Sequence, residues 1–287
     1  MDKRALARVY KARKKAGKVG RWGVMPQPDG VRRNYFTALR RGPLAYAKQL
    51  VNDRLIPKLE SLAEHAQKSA IARADAKHAN ERLGVIMDSI RDHHAEKYTR
   101  ENYAKIARNA AVEAEKFHGR AFNANAKKVF GIDVLGNEPW LKRALGEFVG
   151  ENVSLIKSIP ASYFDEIEKR VSSALANGER ASTMVDEIQE RYKVSESRAN
   201  LIARDQIGKL NGDLNQLRML DLGIESYTWR TMHDNRVRET HSERDGNVYK
   251  WNDPPGDLSD PGDGGNPGEP ICCRCFADPI LDGLLSE

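Results

Sequence analysis

Three cysteines and one histidine carry the plainest chemical potential in this chain. Cys272, Cys273 and Cys275 lie within four consecutive residues, and His241 precedes them in the same C-terminal stretch. One imidazole and two thiolates, from His241, Cys273 and Cys275, are donors that zinc takes in a tetrahedron, with Cys272 or water as the fourth. The spacing speaks for a plainer reading. Cys273 and Cys275 stand at i, i+2, so on a strand they share a face, whereas ligand pairs more often come as C-x2-4-C on a turn. Small buried hydrophobes in a compact β-unit satisfy that pattern, and no cofactor is expected.

Catalytic alternatives find little support. A ββα-metal nuclease needs a His base and a further His or Asn on a following helix, yet His65, His78, His93, His94, His118, His233 and His241 all precede the cysteines. There is no G-x-x-x-x-G-K-[ST], H-E-x-x-H or G-x-S-x-G. The loop from Asp253 to Glu269 is acidic but lacks the D-x-[DN]-x-[DN]-G order of a calcium loop. Asp234, Arg236, Arg238, Glu239 and Asp245 read as structural ties, because guanidinium groups fork onto carboxylates and carbonyls. Arg274, between two inward cysteines, should face the opposite side, where a partner could meet it. His93 and His94 are expected to face solvent.

The elements that would position these residues are strands and turns. Tyr227, Trp229 and Thr231 alternate with Thr228 and Arg230 as in a half-buried strand. Asp234 is suited to cap one helical turn that aligns Arg238 with His241. Asp245-Gly246 is the best hairpin signal, leading to a second strand, and Cys272 to Ile280 is a third, ending near Pro279.

Before this module the period is helical. A helix is expected over about Arg4 to Lys15, then an irregular linker containing Trp22, Pro26 and Pro28. Leu44, Leu55, Leu59 and Leu62 follow at helical intervals, with Pro43 in a first turn and Pro57 at a break. An Ala-rich stretch from Glu64 to Asp92 carries Ile71, Leu83, Ile86, Met87 and Ile90. Another from Arg100 to His118 stops at Gly119. Ser162 and Asp165 make an S-x-x-D start after Pro160, with Phe164, Ile167, Val171 and Leu175 inward and Gly178 as the stop. A short helix from Ser182 or Thr183 and a longer one from Ser195 to Gly223 complete a small bundle.

The net charge is +6, with 31% charged residues and a mean hydropathy of -0.66. Fourteen Lys or Arg against two Asp fall in the first 48 residues, a local +12, so the remainder carries -6. Lys3, Arg4, Arg8, Lys11, Arg13, Lys14, Lys15 and Lys18 head that segment, and a basic arm on an acidic body points to DNA. A solvated tail is the competing reading. No secretory h-region and no run of about 20 apolar residues is present, so a cytosolic protein away from membranes is expected.

The order Trp229-x-Thr231-x-x-Asp234-x-Arg236-Val237-Arg238-x-x-His241-x-x-x-Asp245-Gly246, followed by Pro270 and Cys273-Arg274-Cys275, resembles the phage Mu F-like minor head protein family. Asn152 to Pro160 and Ala199 to Ile207, then Leu222-Gly-Ile224 entering the Tyr-x-Trp strand, are similar to the helical half of those proteins. The likeness covers about Trp140 to Ile280. It implies a low-copy capsid component of a tailed phage or prophage, DNA-binding and portal-associated, present in the virion and in the host cytoplasm during assembly. Its implied partners are the portal protein, the major capsid or scaffolding protein, and double-stranded DNA. It also implies that relatives often place a Cys where Arg238 stands and another where His241 stands.

The expected fold class is α+β. A basic arm (1–34), an elongated helical region (35–131), a helical bundle (139–223) and a small β-rich module (224–287) follow in order. The expected function is head morphogenesis without enzymatic activity. The alternative is a metal-dependent nuclease or toxin-like enzyme in the C-terminal module.

Overall fold

The computed structural model describes residues 2–67 and 73–285. It is an α+β protein with a mostly helical body and a three-stranded antiparallel sheet near the C-terminus. The helices are α1 (Lys3–Lys15), α2 (Asp29–Leu39), α3 (Ala45–Arg54), α4 (Leu59–Gln67), α5 (Arg73–Lys97), α6 (Arg100–Phe130), α7 (Leu141–Ala176), α8 (Ala181–Asp221) and the short α9 (Glu239–Glu243). The strands are β1 (Ser226–Arg230), β2 (Val248–Lys250) and β3 (Phe276–Pro279), with β1 in the centre. Ile71 lies outside the described residues.

Two compact units are built from separated segments. One comprises Met1–Arg33, Arg108–Phe148 and Arg204–Glu287, the other Asn34–Ala107 and Val149–Ala203. The second unit is wholly helical. Leu39, Leu44, Val51, Leu55, Leu59, Met87, Ile90, Ile156, Ile159 and Ile167 are buried there. Proline shapes its entry: Pro43 sits in a π-helical turn (Arg40–Leu44) kinked at Gly42, and Pro57 in a 3-10 turn (Ile56–Lys58). Arg170 joins α7 to α8 by bonding Glu179 at 2.6 Å and Glu187 at 2.7 Å.

Three expected helix boundaries are absent, each for a local reason. Pro160 lies inside α7. Its missing donor costs one backbone bond, but Ile156, Ile159, Tyr163 and Phe164 are buried around it and hold the helix continuous. Ser195 does not begin a helix; its hydroxyl donates back to the carbonyl of Arg191 at 3.1 Å, and Ser197 does the same to Lys193. Hydroxyls that bond i-4 carbonyls ride within a helix instead of starting one. Gly119 does not end α6, because buried Phe122, Ala126 and Val129 carry the apolar face onward.

His94 departs from its solvent-facing expectation. It is buried, its Nε2 lies 3.0 Å from the Pro43 carbonyl, and its ring stacks on Tyr98. Burial lowers its pKa, so it folds as a neutral ring.

The first unit packs the N-terminal segment onto the sheet. Leu6, Tyr10, Trp22 and Met25 share one core with Phe122, Phe130, Tyr227, Trp229, Trp251 and Ala277. Helix α1 forms as expected, opened by Asp2 accepting from the Arg4 amide at 3.0 Å. Trp22 meets Phe122 edge to face at 5.1 Å. At the other end of α1, the hydroxyl of Tyr10 and the ammonium of Lys14 donate to Asp282 in the final 3-10 turn (Leu281–Leu285), at 3.1 and 2.6 Å.

Candidate functional site

The sheet orders the C-terminal module. Strand β1 is half-buried in alternation, with Tyr227 and Trp229 fully inside. It pairs with β2 through Tyr227 opposite Tyr249, and with β3 through Trp229 opposite Ala277. Beyond β1 the chain does not turn back through a two-residue hairpin. It makes α9 first, and Gly246, at φ 87°, returns it to β2. The Gly246 amide donates to the Trp229 carbonyl and the Trp229 amide to the Asn247 carbonyl, both at 2.9 Å, so the Asp-Gly pair closes the ladder.

Asp234 does not cap α9. Its carboxylate accepts from the amide of Arg236 at 3.1 Å, a local turn, while Arg238 occupies the N-cap position. The guanidinium of Arg274 donates to Asp234 and holds that carboxyl down to about 2, with the Arg236 amide adding to the effect. Arg274 makes this bond from an irregular segment, because the third strand begins at Phe276 and not at Cys272 as expected. Arg236 pairs with the same carboxylate at 3.3 Å. Arg238 donates to the carbonyl of Ile271 at 2.6 Å, which fastens the start of α9 to the chain just ahead of the cysteines.

Behind these ties, His241, Cys273 and Cys275 converge in the core. Nδ1 of His241 is 3.7 Å from Sγ of Cys273 and 3.6 Å from Sγ of Cys275. All three donor atoms lie within 4.8 Å of one another, and all three residues are buried. The Trp229 and His241 rings meet edge to face with their centroids 5.3 Å apart. The bond with Cys275 pulls the Cys273 thiol well below its ordinary pKa, and His241 adds to this against the effect of burial. The same bond and burial push Cys275 up. Cys272 stands apart. At φ 55° it turns outward, its amide donating to Asp205 at 2.8 Å and its sulfur accepting from Arg204 Nε at 3.2 Å.

Several supporting residues had no individual role in the sequence reading. Arg244 bonds Asp263 through both its carboxylate, at 2.6 Å, and its carbonyl, at 2.8 Å, and lies over the Trp229 ring. Asn266 accepts from the Tyr227 hydroxyl at 2.9 Å and donates to the Trp251 carbonyl. Together they tie the Gly/Pro/Asp loop to the sheet. Asp205 and Gln206 are buried polar residues on α8. Their available signal was a polar pair set between the buried apolar positions Ala203 and Ile207 of α8.

The basic residues of α1 and of the turn after it divide by environment. Arg13 is spent internally, donating to the carbonyls of Val129 at 2.9 Å and Lys18 at 2.6 Å, and Lys14 is held by Asp282. Lys3, Arg4, Arg8, Lys11, Lys15 and Lys18 are exposed. An open groove of about 600 Å³ is bordered by Arg21, Trp22, Arg230 and His233. Among the described residues no helix is long and apolar enough to cross a membrane.

Residues 165–277 match the family described as Phage Mu protein F like protein. This chain carries a Mu F-like region. The match runs from α7 through α8 and the sheet to Ala277, so it contains the convergent His241, Cys273 and Cys275. An uncharacterized protein of Haemophilus influenzae is 35% identical over 191 residues, which are 65% of this chain and 41% of that protein. The chain thus spans about two fifths of its relative's length. No solved structure matches.

Proposed function

We propose that this chain is a minor capsid protein of a tailed phage or prophage that works in head morphogenesis. The observation that carries the reading is the Mu F-like match over 165–277, which contains the ordered Trp229, Asp234, Arg238, His241, Asp245 and Cys273-Arg274-Cys275 set. In this reading the portal protein and the major capsid or scaffolding protein are its protein partners, and packaged double-stranded DNA meets the basic face of α1. Two features support a structural role. The motif residues bond mainly to backbone and to one another, and the crevice beside Cys273 and Cys275 is narrow, about 20 Å³.

The test is quantitative mass spectrometry of nuclease-treated, gradient-purified particles from the source phage or induced prophage. A low, reproducible copy number against portal and major capsid protein is the expected result. Absence from both precursor and mature heads overturns the reading and turns attention to the enzymatic alternative.

A further inference from the structure

The site formed by His241, Cys273 and Cys275 has metric properties that a packed trio of side chains need not have. Zinc binds sulfur at about 2.3 Å and imidazole nitrogen at about 2.0–2.1 Å in a tetrahedron, so adjacent N and S ligands stand about 3.6 Å apart. The two N to S separations here are 3.6 and 3.7 Å. Both edges that join the imidazole to a sulfur therefore have the right length before any ion is considered.

The imidazole also lacks better company. His241 is 2% exposed, its Nε2 has no hydrogen-bond partner among the described residues, and its Nδ1 meets only the two sulfurs. A buried polar ring normally finds a strong partner. Thiols are weak ones, whereas a cation bound by two thiolates and Nδ1 is strong.

The surrounding framework fixes the three donors independently. Arg274 is held by Asp234, while Cys273 and Cys275, in the segment just ahead of β3, are both buried. Arg238, at the N-cap of α9, holds the Ile271 carbonyl at 2.6 Å and so sets the distance between the helix that bears His241 and the cysteine segment. Cys272, bonded to Arg204, is not among the converging donors.

We propose that His241 Nδ1 and the Sγ atoms of Cys273 and Cys275 bind one zinc ion, with water at the fourth corner, and that the ion clips α9 to the segment entering β3. The i, i+2 spacing suits this arrangement because the third ligand comes from a separate helix, so no knuckle has to curl around the ion. Two thiol protons leave as the ion binds, so affinity falls as pH is lowered.

The experiment uses the full chain, purified under reducing conditions. Metal content is measured by elemental mass spectrometry, and chelator-stripped protein is titrated with Co²⁺ and then Zn²⁺. About one zinc per chain is expected, with tetrahedral d–d bands and a thiolate-to-cobalt charge-transfer band that Zn²⁺ abolishes. Cys272→Ser keeps the spectrum and the stoichiometry. Cys273→Ser, Cys275→Ser and His241→Gln weaken binding at least tenfold. The wild-type titration decides the matter even if a variant fails to fold. Folded wild-type protein that takes up neither metal overturns the proposal. So does binding unchanged in Cys273→Ser and Cys275→Ser, or lost in Cys272→Ser.

Discussion

Asp245 accepts from Thr231 twice, from its amide at 2.7 Å and from its hydroxyl at 3.2 Å. The carboxylate thereby stitches the end of β1 to the turn that feeds β2, and Thr231 is itself buried. Asp245→Ala leaves the Thr231 amide unpaired and its hydroxyl with only His233 Nδ1, at 3.3 Å, which costs about 1–3 kcal/mol. Equilibrium urea denaturation should show a lower midpoint with an unchanged slope. Asp245→Asn, which keeps an acceptor, should lose less.

Glycine substitutions should split by sign. A Cβ on Gly212 of α8 would stand 2.9 Å from the Pro267 carbonyl oxygen and 3.2 Å from Cα of Gly268, both backbone atoms that cannot swing aside. Gly212→Ala should destabilise despite a helix-propensity gain of about 1 kcal/mol. Gly150, on α7 with nothing near its would-be Cβ, should gain most of that amount as Gly150→Ala. Thermal melts of the two variants check the pair.

Acid should weaken the fold through two buried histidines. Burial lowers the pKa of His118 well below 6.5, and the adjacent Arg218 cation lowers it further; burial likewise lowers His94. Below pH 6.5 the unfolded chain binds protons that the folded chain refuses. Stability is therefore intact above that pH and falls as pH drops toward the folded values, by at most about 1.4 kcal/mol per pH unit for each group. His118→Gln should flatten the dependence of the melting temperature on pH between 6.5 and 5.

DNA binding, part of the proposed function, should be tested by point substitution and not by truncation. Deleting residues 2–33 would also strip Leu6, Tyr10, Trp22 and Met25 from the core of the first unit. Arg8→Glu, Lys11→Glu, Lys15→Glu and Lys18→Glu change only exposed positions of that segment. Affinity for duplex DNA should fall steeply with salt in the wild type, and each lost phosphate contact should reduce the log-log slope by about 0.9. A salt slope unaltered in the quadruple variant would remove α1 from the interface.

What was legible in the sequence follows from how local its cause is. The alternation at Tyr227, Trp229 and Thr231 is a period of two, and it set their burial directly. The same rule fails at the cysteines, because β3 begins at Phe276 and Cys273, Arg274 and Cys275 lie ahead of it. Helix boundaries were less legible, because Pro160, Ser195 and Gly119 are stop or start signals that long-range packing overrides. The roles of Arg244, Asp205 and Asn266 depend on partners far along the chain, and nothing in their neighbours' identities announces those partners. The convergence of His241 with the cysteines is of this kind too. The residues were visible, and the distances that make them a candidate site were not.

The first unit draws its core from segments some 200 residues apart in sequence, with α1 against the sheet and the turn that follows it. A ribosome adding roughly 5–20 residues per second needs on the order of 10–30 s to travel from Arg33 to Arg204. For all that time Leu6, Tyr10, Trp22 and Met25 have emerged without the sheet that will cover them. The emerging segment is then basic with an uncovered apolar face, and chaperones have access to it until the sheet is made.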